Sequence, residues 1–302
     1  MTVVSKLTLS GRRRARTRFW TAFAFMAPAL GFVTVFLLVP VAFNVYASFT
    51  KWEKFSGLDK IAGTEHYKTL ASSPNFLGAT TNTIVWLVAS FIVPPVLGLA
   101  LALLLKGIKG EETFKSIFFL PRMISATAVG VIWYYVYAPE GIVNWALRSI
   151  RLGSLTNNWL YESHLVTPSM IIVFVWQQIG LMMALLLIGL NALPVDPIEA
   201  AKVDGASPLQ VFRHVVLPLL MPTVLMVITI SVLAGFTSFD LVWTISRDFP
   251  RRSTLTLAVH QYWESFRAGY WAYGSAIAVV LGAAALTVSW SLAALQHRID
   301  QR

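Results

Sequence analysis

The chain has 302 residues, 56% of them hydrophobic, and a mean hydropathy of +0.66, which is too apolar for an ordinary soluble domain. It contains no cysteine, which excludes a disulfide framework, a thiolate metal site and a cysteine nucleophile. Much of the excess behind the formal net charge of +10 sits in a juxtamembrane tail suited to anionic lipid, so the charge does not point to nucleic acid.

Residues 1–18 carry Lys6, Arg12, Arg13, Arg14, Arg16 and Arg18 with no acid among them, a basic tail that should stay in the cytoplasm. A bilayer core about 30 Å thick takes roughly 20 apolar residues at 1.5 Å each. Runs of that kind lie near Phe19–Phe49, Ala79–Leu105, Ile117–Tyr137, Val166–Leu190, Leu217–Leu241 and Ala272–Leu295. They predict an all-α integral membrane protein with six transmembrane helices within 19–302, because lipid leaves each segment to satisfy its own backbone. The first run is longer than the apolar region of a signal peptide and reads as an uncleaved signal-anchor. The third is interrupted by Pro121-Arg122 near its start. Six crossings place both termini in the cytoplasm, the loops 50–78, 139–164 and 242–271 outside, and the loop 191–217 inside. Lys51, Lys54, Lys60 and Lys68 run against that bias, but Glu53, Asp59 and Glu65 accompany them.

The inner loop between the fourth and fifth runs has its own local grammar. Asp196-Pro197-Ile198-Glu199 reads as a helix start, with Asp196 as N-cap, Pro197 at the first helical position and Glu199 three residues on. Ser207-Pro208-Leu209-Gln210 repeats that pattern. Between them, Asp204-Gly205 is a breaker pair that lets the backbone reach positive φ. The expectation is a short helix, a tight turn and a second short helix that stops at Pro218.

The segment Glu199-Ala200-Ala201, followed by Asp204, Gly205 and Ser207 and closed by Leu217-Pro218, resembles the EAA loop of ABC-transporter permeases. The resemblance extends over nearly the whole chain and is to the carbohydrate-uptake branch, permeases of the maltose and glycerol-phosphate type. It is carried by Pro28, Phe36, Pro40, Ser48 and Phe49 in the first span, and by Asn82-Thr83 and Gly98-Leu99-Ala100-Leu101-Ala102 in the second. Leu120-Pro121, Trp133, Gly141 and Asn144 follow, then Gly189-Leu190, Pro194, Phe239-Asp240 and Tyr273-Gly274-Ser275-Ala276. It implies the type I ABC importer permease fold in a bacterial cytoplasmic (inner) membrane. It also implies a second homologous permease, an ABC ATPase dimer and an extracytoplasmic solute-binding protein as partners, and a docking role for the EAA loop on the ATPase. ATP and magnesium would then bind on the ATPase subunits, with no cofactor on this chain, and ATP binding would draw the paired loops together. One departure stands out: Ser246-Arg247-Asp248-Phe249-Pro250-Arg251-Arg252 occupies the place of the family's G-G-P loop, where the solute-binding protein would face it.

The residues themselves carry no enzyme. There is no G-x-x-x-x-G-K-[ST] phosphate loop, and His66, His164, His214, His260 and His297 are scattered, with no pair at metal-ligand spacing. Ionisable groups within the apolar runs are nearly absent, and Arg122 and Asp240 lie close to predicted ends, where snorkelling suffices for the arginine. Sugars offer hydroxyls and weakly apolar ring faces, so amides, hydroxyls and aromatics suit them. Gln177 and Gln178 beside Trp176 in the fourth span, and Ser231, Gly235 and Ser238 at i, i+4, i+7 in the fifth, are the candidate sugar-binding residues, in regions where the resemblance also implies a sugar site. The same small and polar residues also suit helix–helix contact in a membrane. Two alternatives stay open. Arg122, Arg247, Arg251 and Arg252 suit an anionic sugar derivative or glycerol phosphate, and an autonomous channel or secondary carrier is a different class.

Overall fold

The computed structural model describes residues 20–246 and 253–300, with side chains in the last helix as far as Arg298. The basic tail and Arg247, Arg251 and Arg252 lie outside the described residues. Among the described residues, five helices are long and apolar enough to cross a membrane: α1 (Trp20–Ala47), α3 (Pro74–Leu105), α7 (Val166–Asn191), α9 (Pro208–Phe236) and α12 (Trp271–Arg298). Between them lie α2 (Glu65–Ser72), α4 (Glu111–Met123), α5 (Ala126–Val136), α6 (Ile142–Ser149), α8 (Asp196–Val203), α10 (Phe239–Ile245) and α11 (Leu257–Tyr262).

The expected third span, Ile117–Tyr137, is two helices. α4 and α5 meet at a 96° bend, so together they make up to one crossing and neither makes one alone. Sequence chemistry explains the break. Pro121 offers no N–H to the helix, Ile124 is extended at ψ 135°, and the Ser125 hydroxyl accepts from Ala128 N–H to start α5. The carbonyl of Ile124, freed at the bend, accepts from Gln177 Nε2 at 2.9 Å.

α7 is the axis of the fold. Val173, Met182 and Met183 are fully buried, while α3, α4 and α9 pack around it. One apolar cluster, with Trp86, Phe174 and Val242, fills the half near α5 and α10. A second, with Ala102, Met183, Leu187 and Leu220, fills the half near the 191–217 loop. Close approach of α3 to α7 needs Gly98, because a Cβ there would stand 2.7 Å from Met182 Cβ. The outer faces stay apolar and uncovered: Phe25, Phe36, Leu286 and Trp290 are exposed. In water that would be a large liability, but lipid is the natural solvent for such faces.

On the predicted outer side, buried Asn144 ties the 138–159 segment together. It donates to Pro139 and Asn157 carbonyls and accepts from Trp159 Nε1 at 2.8 Å. Thr83 Oγ1 accepts from Leu257 N–H and Asn82 Nδ2 donates to the Leu255 carbonyl, so α3 anchors the segment leading into α11. Arg148 donates to Glu140 at 2.9 Å, and that bond and charge hold the Glu140 carboxyl below its usual range.

Candidate functional site: an exposed helix pair and a polar cavity

The inner loop folds much as its local signals require. α8 ends in a Schellman arrangement: Ala206 N–H bonds Ala201 carbonyl (3.0 Å) and Gly205 N–H bonds Lys202 carbonyl (3.1 Å), with Gly205 at φ +81°. Ala201 and Gly205 are therefore parts of one stop signal, and Asp204 is the C-cap residue. The next turn starts with a complete capping box, in which Ser207 Oγ accepts from Gln210 N–H and Gln210 Oε1 accepts from Ser207 N–H at 2.7 Å.

Two expectations about this loop need correction. Asp196 lies inside α8, whose N-cap position is Val195, and it makes no side-chain cap. The first-turn acids Asp196 and Glu199 act through the helix dipole instead. Nor does Pro218 end the second helix. The backbone widens to a π turn over Phe212–Val216, Leu217 N–H reaches back to Phe212, and the helix continues through Leu217-Pro218 to Phe236. A proline lacks its own donor and its ring crowds the carbonyl four residues back, and a π turn just before it lets the ladder step past both. The second helix of the loop, which begins one turn after the EAA segment, is thus continuous with a membrane-length helix.

What this element presents outward is apolar. Val195, Val203 and Leu209 are exposed, together with Ala200. Beside them, a concavity of about 340 Å³ lies against Ala201, Asp204, Gly205, Ala206, Gln210 and His214. Exposed aliphatic side chains around a shaped hollow at a helix turn suit protein docking.

The candidate sugar residues separate into two groups. Ser231 is fully buried and its hydroxyl donates to the Ser90 carbonyl at 2.6 Å. A Cβ on Gly235 would collide with the Ser90 hydroxyl. Both therefore hold α9 against α3. Ser238 is not on that helix at all: α9 ends at Phe236, and Ser238 lies at the N-cap position of α10. The supposed shared face of Ser231, Gly235 and Ser238 does not exist.

Ser238 instead joins Gln177 and Gln178 around a cavity of about 120 Å³, whose wall also includes Arg122, Thr237 and Asp240. Gln177 spends its amide N–H on the Ile124 bend. Gln178 is 4% exposed and its Oε1 has no hydrogen-bond partner among the described residues. A buried acceptor left in that state costs about 1–3 kcal/mol. Arg122 and Asp240, set aside in the sequence as residues near span ends, converge here because the third and fifth runs both break. Ionisable groups at membrane depth are the signal that could have found them.

The chain is similar to known proteins over most of its length. Residues 95–302 match the family model described as binding-protein-dependent transport system inner membrane component. A probable ABC transporter permease protein of Pyrococcus horikoshii is 31% identical over 266 residues, covering 87% of this chain and 91% of that one. The multiple sugar-binding transport system permease protein of Streptococcus mutans is 30% identical over 275 residues, covering 89% and 92%. The fold matches a chain of a bacterial ABC transporter involved in the import of the acidic polysaccharide alginate, with a TM-score of 0.80 at 21% identity over 95% of this chain and 98% of that chain. The chain belongs to the family of binding-protein-dependent transport system inner membrane components, and is a multi-pass permease subunit of an ABC importer.

Proposed function

We propose that this permease moves a saccharide across the membrane through the polar cavity at Gln178, driven by an ATPase pair docked on α8. The observation that carries the reading is Gln178, whose Oε1 is a buried acceptor with no partner among the described residues and which lines a cavity together with Arg122, Ser238 and Asp240. Donors and acceptors of that variety suit a polyhydroxyl solute. A neutral saccharide fits better than an anionic derivative or glycerol phosphate, since Arg122 shares its cavity with the carboxylate of Asp240. The 30% identity to a multiple sugar-binding permease supports the same class.

Membership of the family supports the remaining parts of the machine. A second homologous permease would complete the passage, an extracytoplasmic solute-binding protein would deliver the sugar, and ATP and magnesium would bind on a separate ATPase dimer. Closure of that dimer would move α8 and, through the turn at Asp204–Ser207, α9. Both termini would lie in the cytoplasm.

The test is uptake by the complete transporter in proteoliposomes, using radiolabelled saccharides with and without ATP. ATP- and binding-protein-dependent uptake that weakens in Gln178→Ala at equal complex abundance is the expected result. Uptake by this chain alone, or no effect of Gln178→Ala on any saccharide, would overturn it.

A further inference from the structure

Next to the small cavity lies a much larger one. It opens between α5 and α10, has a volume of about 720 Å³, and is lined by Thr127, Tyr134, Tyr135, Asp240, Trp243 and Thr244. Asp240 belongs to both walls. We propose that this aromatic concavity is a second saccharide subsite, continuous with the first across Asp240, so that the transported solute is an oligosaccharide of at least two sugar units. The inference rests on the saccharide reading above and adds the length of the substrate to it.

Size decides the first step. Sites for small organic ligands occupy about 300–1,000 Å³. At about 120 Å³ the Gln178 cavity falls below that range and takes only part of a ligand, whereas about 720 Å³ lies well within it. The polar groups of the inner cavity therefore grip one end of a solute whose remainder occupies the outer one.

Chemistry supplies the second step. A sugar ring has a weakly apolar C–H face and an equatorial belt of hydroxyls. Tyr134, Tyr135 and Trp243 offer aromatic faces, Thr127 and Thr244 offer hydroxyls, and the Asp240 carboxylate accepts from hydroxyl donors on either side. Among the described residues Asp240 has no ion-pair partner, which leaves its oxygens available. A mere packing seam between two helices would not combine these groups around open space.

Rigidity supplies the third. Trp243 stacks on Phe239 with ring centres 5.7 Å apart and meets Tyr262 edge-on at 4.9 Å, so its orientation is set before any ligand arrives. Gly130 lets α10 lie directly on α5, since a Cβ there would stand 2.8 Å from Thr244 Cβ. The floor of the concavity is thus a close helix–helix contact, and the Trp243 ring in its wall is pre-set.

The experiment uses the complete transporter and its binding protein, with labelled glucose, maltose and maltotriose and labelled xylose, xylobiose and xylotriose as probes. At least one di- or trisaccharide should be taken up. For it, Tyr135→Ala and Trp243→Ala should raise the half-saturating concentration about two- to twelvefold at matched abundance of assembled complex. Tyr135→Phe and Trp243→Phe keep an aromatic face and should restore most of the affinity. Uptake confined to the monosaccharides, or alanine variants whose losses track loss of assembled complex, would overturn the second subsite while leaving the Gln178 site intact. The second of those results would make the face a contact with the other permease. Uptake of none of the six probes would overturn the saccharide reading and this inference together.

Discussion

Lys106, the residue that follows α3, donates from Nζ to the backbone carbonyl of Leu190, near the end of α7, at 2.8 Å. The last four carbonyls of a helix have no partner within it, and a cation there also complements the helix dipole. The contact lies a few residues before α8. It ties the root of the EAA segment to the end of a second membrane helix. The tie extends further, because Gly107 N–H donates to Glu111 Oε2 at 2.8 Å and Glu111 pairs with Lys115 at 2.8 Å on α4. A push on α8 is therefore shared among α7, α3 and the broken span.

Lys106→Met should consequently lower the sugar moved per ATP hydrolysed, by several-fold, since a hydrogen bond from a charged group contributes about 1.5–3 kcal/mol. Lys106→Arg keeps a cationic donor and should retain most of the coupling. The measurement is transported solute against phosphate released in proteoliposomes. An unchanged ratio in Lys106→Met would show that the contact carries no load.

Gly205→Val forces a β-branched residue to φ +81° and should cost the α8 stop about 1–2 kcal/mol or more. Glu199→Ala removes only an exposed first-turn acid, about 0.3–1 kcal/mol of helix stabilisation, so a large effect from it would have to come through the docked partner. Co-purification of the ATPase with each variant, at equal membrane abundance of the permease, measures this. Full retention and normal uptake in both would remove α8 from the coupling role.

The two cysteine-free faces of the loop system give a direct test of orientation. A cysteine placed at exposed Ser207 should react with an impermeant maleimide only from the cytosolic side, and one placed at exposed Ser149 on α6 only from outside. No native cysteine interferes. Labelling of both from a single side would mean that α7, the membrane-length helix between them, does not carry the chain across.

The difference between what was legible in the sequence and what was not follows the range of the interactions. Gly205 and the Ser207–Gln210 box were readable because their bonds close within six residues. Leu217-Pro218 was misread as a stop, since whether a proline ends a helix depends on the turn before it and on what packs around it. Hydropathy found six apolar runs but carried no information on the 96° bend at Ile124, because a bent and a straight span bury the same residue types. The cavity was beyond reach for the same reason. Arg122, Gln178 and Asp240 come from three different runs, and only the two helix breaks bring them together.

Those breaks also sort the polar residues of the membrane core by what a substitution should do. Ser231→Ala deletes a donor whose bond to the Ser90 carbonyl is fully buried, leaving that carbonyl one donor short within a helix contact. Gly235→Ala drives a methyl group into the Ser90 hydroxyl and must separate α9 from α3. Both should lower the melting temperature or yield of the assembled complex, with a cost of about 1–3 kcal/mol each. Selectivity among sugars in the surviving complex should be unchanged. Gln178→Ala and Ser238→Ala touch the cavity and should do the opposite. The alanine at 178 also removes a buried acceptor that has no partner, so assembly should hold or improve while affinity for the preferred sugar falls about five- to 150-fold. Thermal unfolding and competition uptake on the same four preparations separate the two behaviours. If Gln178→Ala and Ser238→Ala lose only stability, and in step with Ser231→Ala, then all four residues are helix contacts and the sugar passes elsewhere.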